Sequence, residues 1–230
     1  MKKQLPILTM ILPAFICTPR FLNALQRLLL SAIFLLPLAG VTACISLKTE
    51  YPKTTYYRLE DKPAQKAAKS VPEGLLVKPF TIDSEFDTDH IIVMASGTEA
   101  QPLQYHRWTS EPQELISANI TNRLQQSSFF AQGVFTPASS VVPGLQLEGR
   151  ITECLARGTA QEGNIVSLRI HCTVQRLDSI GRTSVLLQKV YSHTVRRAND
   201  GGASIAPAMS EAVSALGDAL LADLTALLVR

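Results

Sequence analysis

Apolar positions along this chain keep two periods, and the switches between them mark out the elements. From Leu145 onward the period is two. Strands near Leu145–Leu155, Ile165–Leu177 and Ser184–Arg196 are joined by turn-forming segments at Glu162-Gly163-Asn164 and Asp178–Arg182, the layout of an antiparallel meander. A shorter apolar strand, Leu75-Leu76-Val77-Lys78-Pro79-Phe80, is stopped by its proline, and His90–Met94 with Leu103–Trp108 reads as a hairpin around Ser96-Gly97-Thr98. Between these runs the period lengthens to that of a helix. Ser110 and Gln113 have the spacing of a capping box, Pro112 lies in the first turn, and Leu115, Ile116, Ile120 and Leu124 form one stripe up to about Ser128. Asn199-Asp200-Gly201-Gly202 then breaks the chain before a long amphipathic helix carrying Met209, Val213, Leu216, Leu220, Leu224 and Leu227. The expected fold is an α/β (α+β) single domain, a largely antiparallel sheet covered on one face by two main helices.

The first third of the chain reads differently. From Ile45 to about Pro72 it carries Pro52, Pro63 and Pro72 and a polar Lys/Ala/Gln stretch, the composition of a tether. One apolar knot interrupts it, Tyr56-Tyr57-Arg58-Leu59, whose alternation suits an edge strand docked on the domain. Upstream, an apolar run from Leu28 to Ala39 follows Arg20 and Arg27 and leads to Val41-Thr42-Ala43-Cys44. A basic region, a short apolar core and small residues before a cut are the parts of a secretory signal. The run falls well short of the ~20 residues that span a bilayer. A cysteine at the cut makes the tetrapeptide resemble a lipobox, so Cys44 is expected to be lipidated and to become the mature N-terminus. The expected layout is a signal peptide over 1–43, a lipidated N-terminus and tether over 44–72, and a domain over 73–230. A further apolar stretch, Leu5 to Cys17, lengthens the leader and leaves open a later start, for example at Met10.

Charge excludes some partners. Lys2, Lys3, Arg20 and Arg27 lie in a leader that has no acid, and they account for four of the 22 basic residues. The rest stand against 19 acidic ones, so the mature chain is near neutral. No clustered basic footprint for nucleic acid survives.

Little in the sequence points to reaction chemistry. His90, His106, His171 and His193 have no metal-ligand spacing, and no HExxH, paired CxxC, GxSxG or P-loop is present. His171 points to the opposite strand face from Cys172, which is wrong for a shared nucleophile–base site. His90 and His106 are candidates to face one another across the hairpin. Asp83, Glu85, Asp87 and Asp89 alternate in a loop that lacks the glycine and closing glutamate of an EF-hand, so a solvated loop is expected. Tyr105 and Trp108, flanking His106 and Arg107, are candidate contacts for a partner or ligand; the other reading is packing beneath the following helix. Cys154 and Cys172 are a candidate disulfide for an oxidising compartment. The alternation opposes it, placing Cys154 across from the face of Leu145, Leu147 and Ile151 while Cys172 shares the apolar face of its own strand. A bulge would be needed to bring them together. On the last helix, Leu221 and Leu228 widen the apolar stripe and leave room for a partner subunit.

In order, the lipobox, Tyr56-Tyr57-Arg58-Leu59, Leu76-Val77-Lys78-Pro79-Phe80, Tyr105-His106-Arg107-Trp108 running into Pro112, Leu147-Glu148-Gly149-Arg150-Ile151 and the Ala/Leu-rich last helix resemble the ABC-type transport auxiliary lipoproteins, the family that includes the paraquat-inducible protein C type. The resemblance covers nearly all of the mature chain. It implies a non-enzymatic accessory, without cofactors, of an MCE-type transport system that moves lipids or other apolar molecules between membranes. The implied partners are a periplasmic MCE-domain protein with its permease and ATPase, and the protein itself would be a homo-oligomer on the periplasmic face of the outer membrane. Ile45 and Ser46 follow Cys44 with no Asp, which by the sorting habit of enteric lipoproteins favours the outer membrane. The alternative is a stand-alone lipoprotein holding an apolar ligand between sheet and helices, for which an apolar cavity would be the sign. A periplasmic hydrolase would need a catalytic constellation that the sequence does not show.

Overall fold

A computed structural model of the chain describes residues 26–27, 51–159, 163–178 and 180–229. Cys17 and Cys44, and the leader around them, lie outside the described residues. Among the described residues, the unit from Pro52 onward holds nine strands, two α-helices and a 3-10 turn at Gly202–Ser204. The strands are β1 (Thr55–Tyr57), β2 (Leu75–Val77), β3 (Thr81–Ile82), β4 (His90–Ser96), β5 (Glu99–Trp108), β6 (Val134–Phe135), β7 (Leu145–Thr159), β8 (Gly163–Leu177) and β9 (Thr183–Arg196); the helices are α1 (Pro112–Gln126) and α2 (Ile205–Leu228).

The meander is where the period-two pattern placed it. β7, β8 and β9 pair antiparallel along almost their full lengths, as do β4 and β5. The other pairings are parallel, so the sheet is mixed. β7 is its hub. One edge of β7 carries β8, while the other receives β2 at Leu145–Leu147, β3 at Arg150–Ile151 and β4 at Ala156–Arg157, each parallel. β1 adds parallel to β5, and β6 to β2. β1, β2 and β4 fall where strands were expected, whereas β3 and β6 gave no signal, because two residues are too few to show a period.

Both helices cover one face. On that face β7 and β8 present Leu147, Ile151, Val166, Leu168, Ile170 and Val174, all essentially inaccessible. They meet Ile116, Ile120 and Leu124 of α1 and Met209, Val213, Leu216, Leu220 and Leu224 of α2. Burying one such side chain contributes about 1.5–3 kcal/mol, so this layer dominates the stability of the fold. Leu221 is also buried and Leu228 packs against the core, so the width read as room for a partner subunit is used within the chain.

Local devices differ from the expected ones at two points. α1 begins at Pro112, but neither Ser110 nor Gln113 caps it; Glu111 holds the cap position without a side-chain bond, and the Gln113 amide donates to Asp87 instead. The helix ends where Ser128 turns to φ 56°, the left-handed conformation that closes many helices. At Gly149 the ring of Phe80 lies so close that a Cβ would come within 2.6 Å of it. Glycine there lets Phe80 reach down to the sheet.

Candidate functional site

The segment expected to be a tether is built into the domain from β1 onward. Thr109 N–H donates to the Tyr57 carbonyl at 2.8 Å, Ala67 N–H to Ser127 O at 2.9 Å and Val71 N–H to Phe129 O at 2.8 Å. The tether boundary therefore moves from residue 72 back to about residue 54. The physical reason is that a polar, proline-rich strap satisfies its backbone groups on side chains of the helices, which composition does not reveal.

Between β1 and Pro63 this strap crosses both helices on a set of polar anchors. Asn119 donates to the Glu60 carbonyl at 3.1 Å and to Asp61 Oδ1 at 2.7 Å, and Asn122 reaches Asp61 Oδ2 at 3.0 Å. Glu60 N–H donates to Ser210 Oγ of α2 at 3.0 Å. Arg123 is the centre of the set. Its Nε and Nη2 hold both oxygens of Asp218 at 2.6 Å, and its Nη1 donates to Lys62 O at 3.1 Å. Arg123 is only 7 % exposed, and the helices approach so closely there that a Cβ on Gly217 would lie 2.7 Å from Arg123 Cδ. One guanidinium thus ties α1, α2 and the strap, the fork geometry for which arginine is suited. Sequence reasoning missed Arg123, Asn119 and Asp218. The available signal was their place beside the apolar stripes of two helices that have few charges.

The aromatic candidates separate. Trp108 is 4 % exposed and packs with Leu59, Ile116 and Met209 between sheet and helices, so it is a core residue and not a contact for a partner. Tyr105 is half-buried and lies where β5 runs three residues longer than β4 between Pro102 and Arg107; it is not part of the core that holds Trp108. His106 stacks on Tyr57, whose hydroxyl lies 2.9 Å from its Nδ1, whereas His90 Nδ1 is 3.1 Å from Leu103 O. His90 is paired with Arg107 in register, so the two histidines do not face one another.

The cysteines are both free and buried, which corrects the candidate disulfide. The bulge that it required is present. Thr152 is the extra residue between Ile151 and Glu153, and it shifts the alternation so that Cys154 joins the helix-covered face. Cys154 lies opposite Leu168, however, and Cys172 opposite Gly149. Four residues along a strand is roughly 13 Å, far beyond the reach of a disulfide. Burial pushes both thiols up to about 12, so they stay protonated and unreactive.

The loop carboxylates also disperse. Asp83 binds Arg150 at 2.7 Å, Asp89 binds Arg107 at 3.2 Å and Asp87 accepts from Gln113. Elsewhere, Asp223 of α2 accepts from Lys189 Nζ and Tyr191 Oη, each at 2.6 Å. The Lys189 bond, then the Tyr191 bond, holds the Asp223 carboxyl below its usual range, while burial first and then the Asp223 bond raises the Tyr191 phenol. A carboxylate stabilised in this way is a pin between β9 and α2, not a base. Among the described residues no group of His, Cys, Asp and Glu is placed to hold a metal ion, and no helix is long and apolar enough to cross a membrane.

The space between sheet and helices, lined by Leu59, Trp108, Leu115, Ile116, Cys154 and Met209, has a volume of about 0 Å³. The larger hollows are open surface grooves, such as the one of about 410 Å³ between α1 and the β2–β6 edge. The sequence matches the ABC-type transport auxiliary lipoprotein component family over residues 57–220, and the chain belongs to that family. Protein XCC0632 from Xanthomonas campestris has a similar crystal structure, with a TM-score of 0.64 over 74% of this chain and 94% of that one at 16% identity. An uncharacterized protein gives a TM-score of 0.58 over 75% of this chain and 99% of its own at 10% identity. At these identities the likeness is one of fold. No curated protein matches the sequence.

Proposed function

We propose that this protein is a lipid-anchored accessory of an MCE-type transport system, held on the periplasmic face of the outer membrane through Cys44 and docking on the periplasmic MCE component. The observation that carries the reading is the family match over residues 57–220. It is supported by the packing of Trp108, Ile116, Cys154 and Met209, which leaves a space of about 0 Å³ between them; that filling counts against a stand-alone carrier of an apolar molecule. The family is one of transport auxiliaries rather than enzymes.

The strap adds a geometric consequence. With the chain pinned from Thr55 onward, ten residues lie between it and Cys44, a reach of at most about 40 Å. The domain is therefore held near the membrane that carries the acyl chains, and a partner must come to it there. Oligomerisation belongs to the same proposal, as a way to present several such domains to one partner.

The test is Cys44→Ala in the full-length protein. The domain should fold as before, leave the membrane fraction and lose its envelope function. Retention on membranes after a high-salt wash would sink the anchor. Affinity capture from detergent-solubilised envelope, with mass spectrometry of partners and of the mature N-terminal peptide, tests the docking. An MCE-domain protein together with an acylated Cys44 is the expected result. Bound lipid with no protein partner would move the reading to a solo lipid-binding lipoprotein.

A further inference from the structure

β9 is 14 residues long, and it pairs with β8 along one edge only. Among the described residues nothing pairs with its other edge. Proteins normally blunt such an edge with a short strand, a proline, an inward charge or a bulge. β9 contains no proline, and its one lysine, Lys189, is folded onto Asp223 on the helix-covered side. Its one irregularity lies near the start and leaves Leu187–Arg196 in unbroken register with β8. Val185 and Val190 lie opposite Gln175 and His171 on the uncovered face, and they are 61% and 47% exposed.

Charge narrows what would fill this edge. Between Asp178 and Asp200 the chain has Arg182, Lys189, Arg196 and Arg197 and no carboxylate. Arg182 and Arg196 are exposed and stand at either end of the strand. A second copy of this chain fits poorly. Its other marginal strands, β1 and β6, have three and two residues, and β9 laid on β9 would bring two acid-free basic strands together. We infer that β9 is a strand-addition site for an extended segment of a partner protein, apolar where it lies beside Val185 and Val190 and acidic at its two ends. Main-chain bonds to the free edge would supply affinity, and carboxylates near Arg182 and Arg196 with apolar side chains beside Val185 and Val190 would supply selectivity. This deepens the docking reading above and rests on it.

Two measurements on the full-length protein test the inference. The first probe is a synthetic peptide about 12 residues long to match the strand, with alternating valine and threonine in its centre and glutamates at both ends, and the same peptide with lysines at its ends as control. The acidic peptide should slow amide hydrogen exchange at edge-facing positions of residues 183–196 by about tenfold or more, and the basic one should not. Arg182→Glu/Arg196→Glu should abolish the effect; Val185→Lys/Val190→Lys, at two exposed positions, is the second variant should the first fail to fold. Equal protection by both peptides, or by neither, would overturn the inference. The second measurement places a photo-crosslinking residue at Gln188 or Ser192 in cells. A crosslink to an acidic extended segment of the captured partner supports the site. Crosslinks to a second copy or to lipid, or a partner attached through another face, overturn the edge while leaving the docking reading intact. If no partner is captured at all, both fall.

Discussion

Replacing Arg123 with alanine isolates what holds the strap to the helices. The guanidinium is 7% exposed, whereas Asp218 keeps 49% of its side-chain surface, so solvent on the carboxylate side weakens the pair. A bidentate pair of this kind contributes about 1 kcal/mol. The Lys62 carbonyl loses its donor, at about 1 kcal/mol. The arginine stem packed at Gly217 leaves a gap, at about 1 kcal/mol more. The expected loss is therefore about 3 kcal/mol, or roughly 6–12 °C in Tm for a domain of this size. Urea unfolding of the chain from Ile45 onward measures it. Because Arg123 also holds the strap, trypsin cleavage after Arg58 and Lys66 should speed up under conditions where the core stays folded. Arg123→Lys keeps the charge and loses the fork, so it should recover less than half of the deficit. A variant within about 0.5 kcal/mol of the parent, with the strap as protected as before, would refute the claim that this arginine joins three elements.

Other consequences are as open to measurement. Gly149→Ala places a methyl against the Phe80 ring and should cost about 1–3 kcal/mol, read as a lower thermal midpoint, while Gly144→Ala, where the nearest atom to a Cβ is Glu73 Cγ at 4.0 Å, should cost less. Asp223 has its carboxyl depressed by Lys189 and Tyr191. Its stabilisation is thus complete above the unfolded carboxylate value of about 3.9 and is lost as pH falls through the lower folded value. Unfolding curves of the parent and Asp223→Asn should differ at pH 7 and converge toward pH 2; a gap that persists at low pH would refute the pin. Cys154 and Cys172 should be silent to a thiol reagent in the folded chain and react together on unfolding, and air oxidation should not join them. Reaction of either thiol at the rate of an exposed cysteine would contradict their burial.

Much of the fold was legible because long elements carry a period. Three strands of about 15 residues and two amphipathic helices announce themselves through which side chains must leave water, and that requirement is written locally along the chain. The lipobox and the family resemblance are equally local, as ordered residue types. What depends on register was not legible. One extra residue at Thr152 moves Cys154 to the covered face and leaves it four positions from Cys172, and no alternation announces an insertion of one. Trp108 and Tyr105 read alike as aromatics, yet one is in the core and the other is not. The strap looked like a tether because its bonds run from its backbone to Asn119, Arg123 and Ser210, groups some 60 to 150 residues away. Long-range pairing of this kind brings together polar atoms whose positions follow from how the layers pack, and only the tertiary structure decides it.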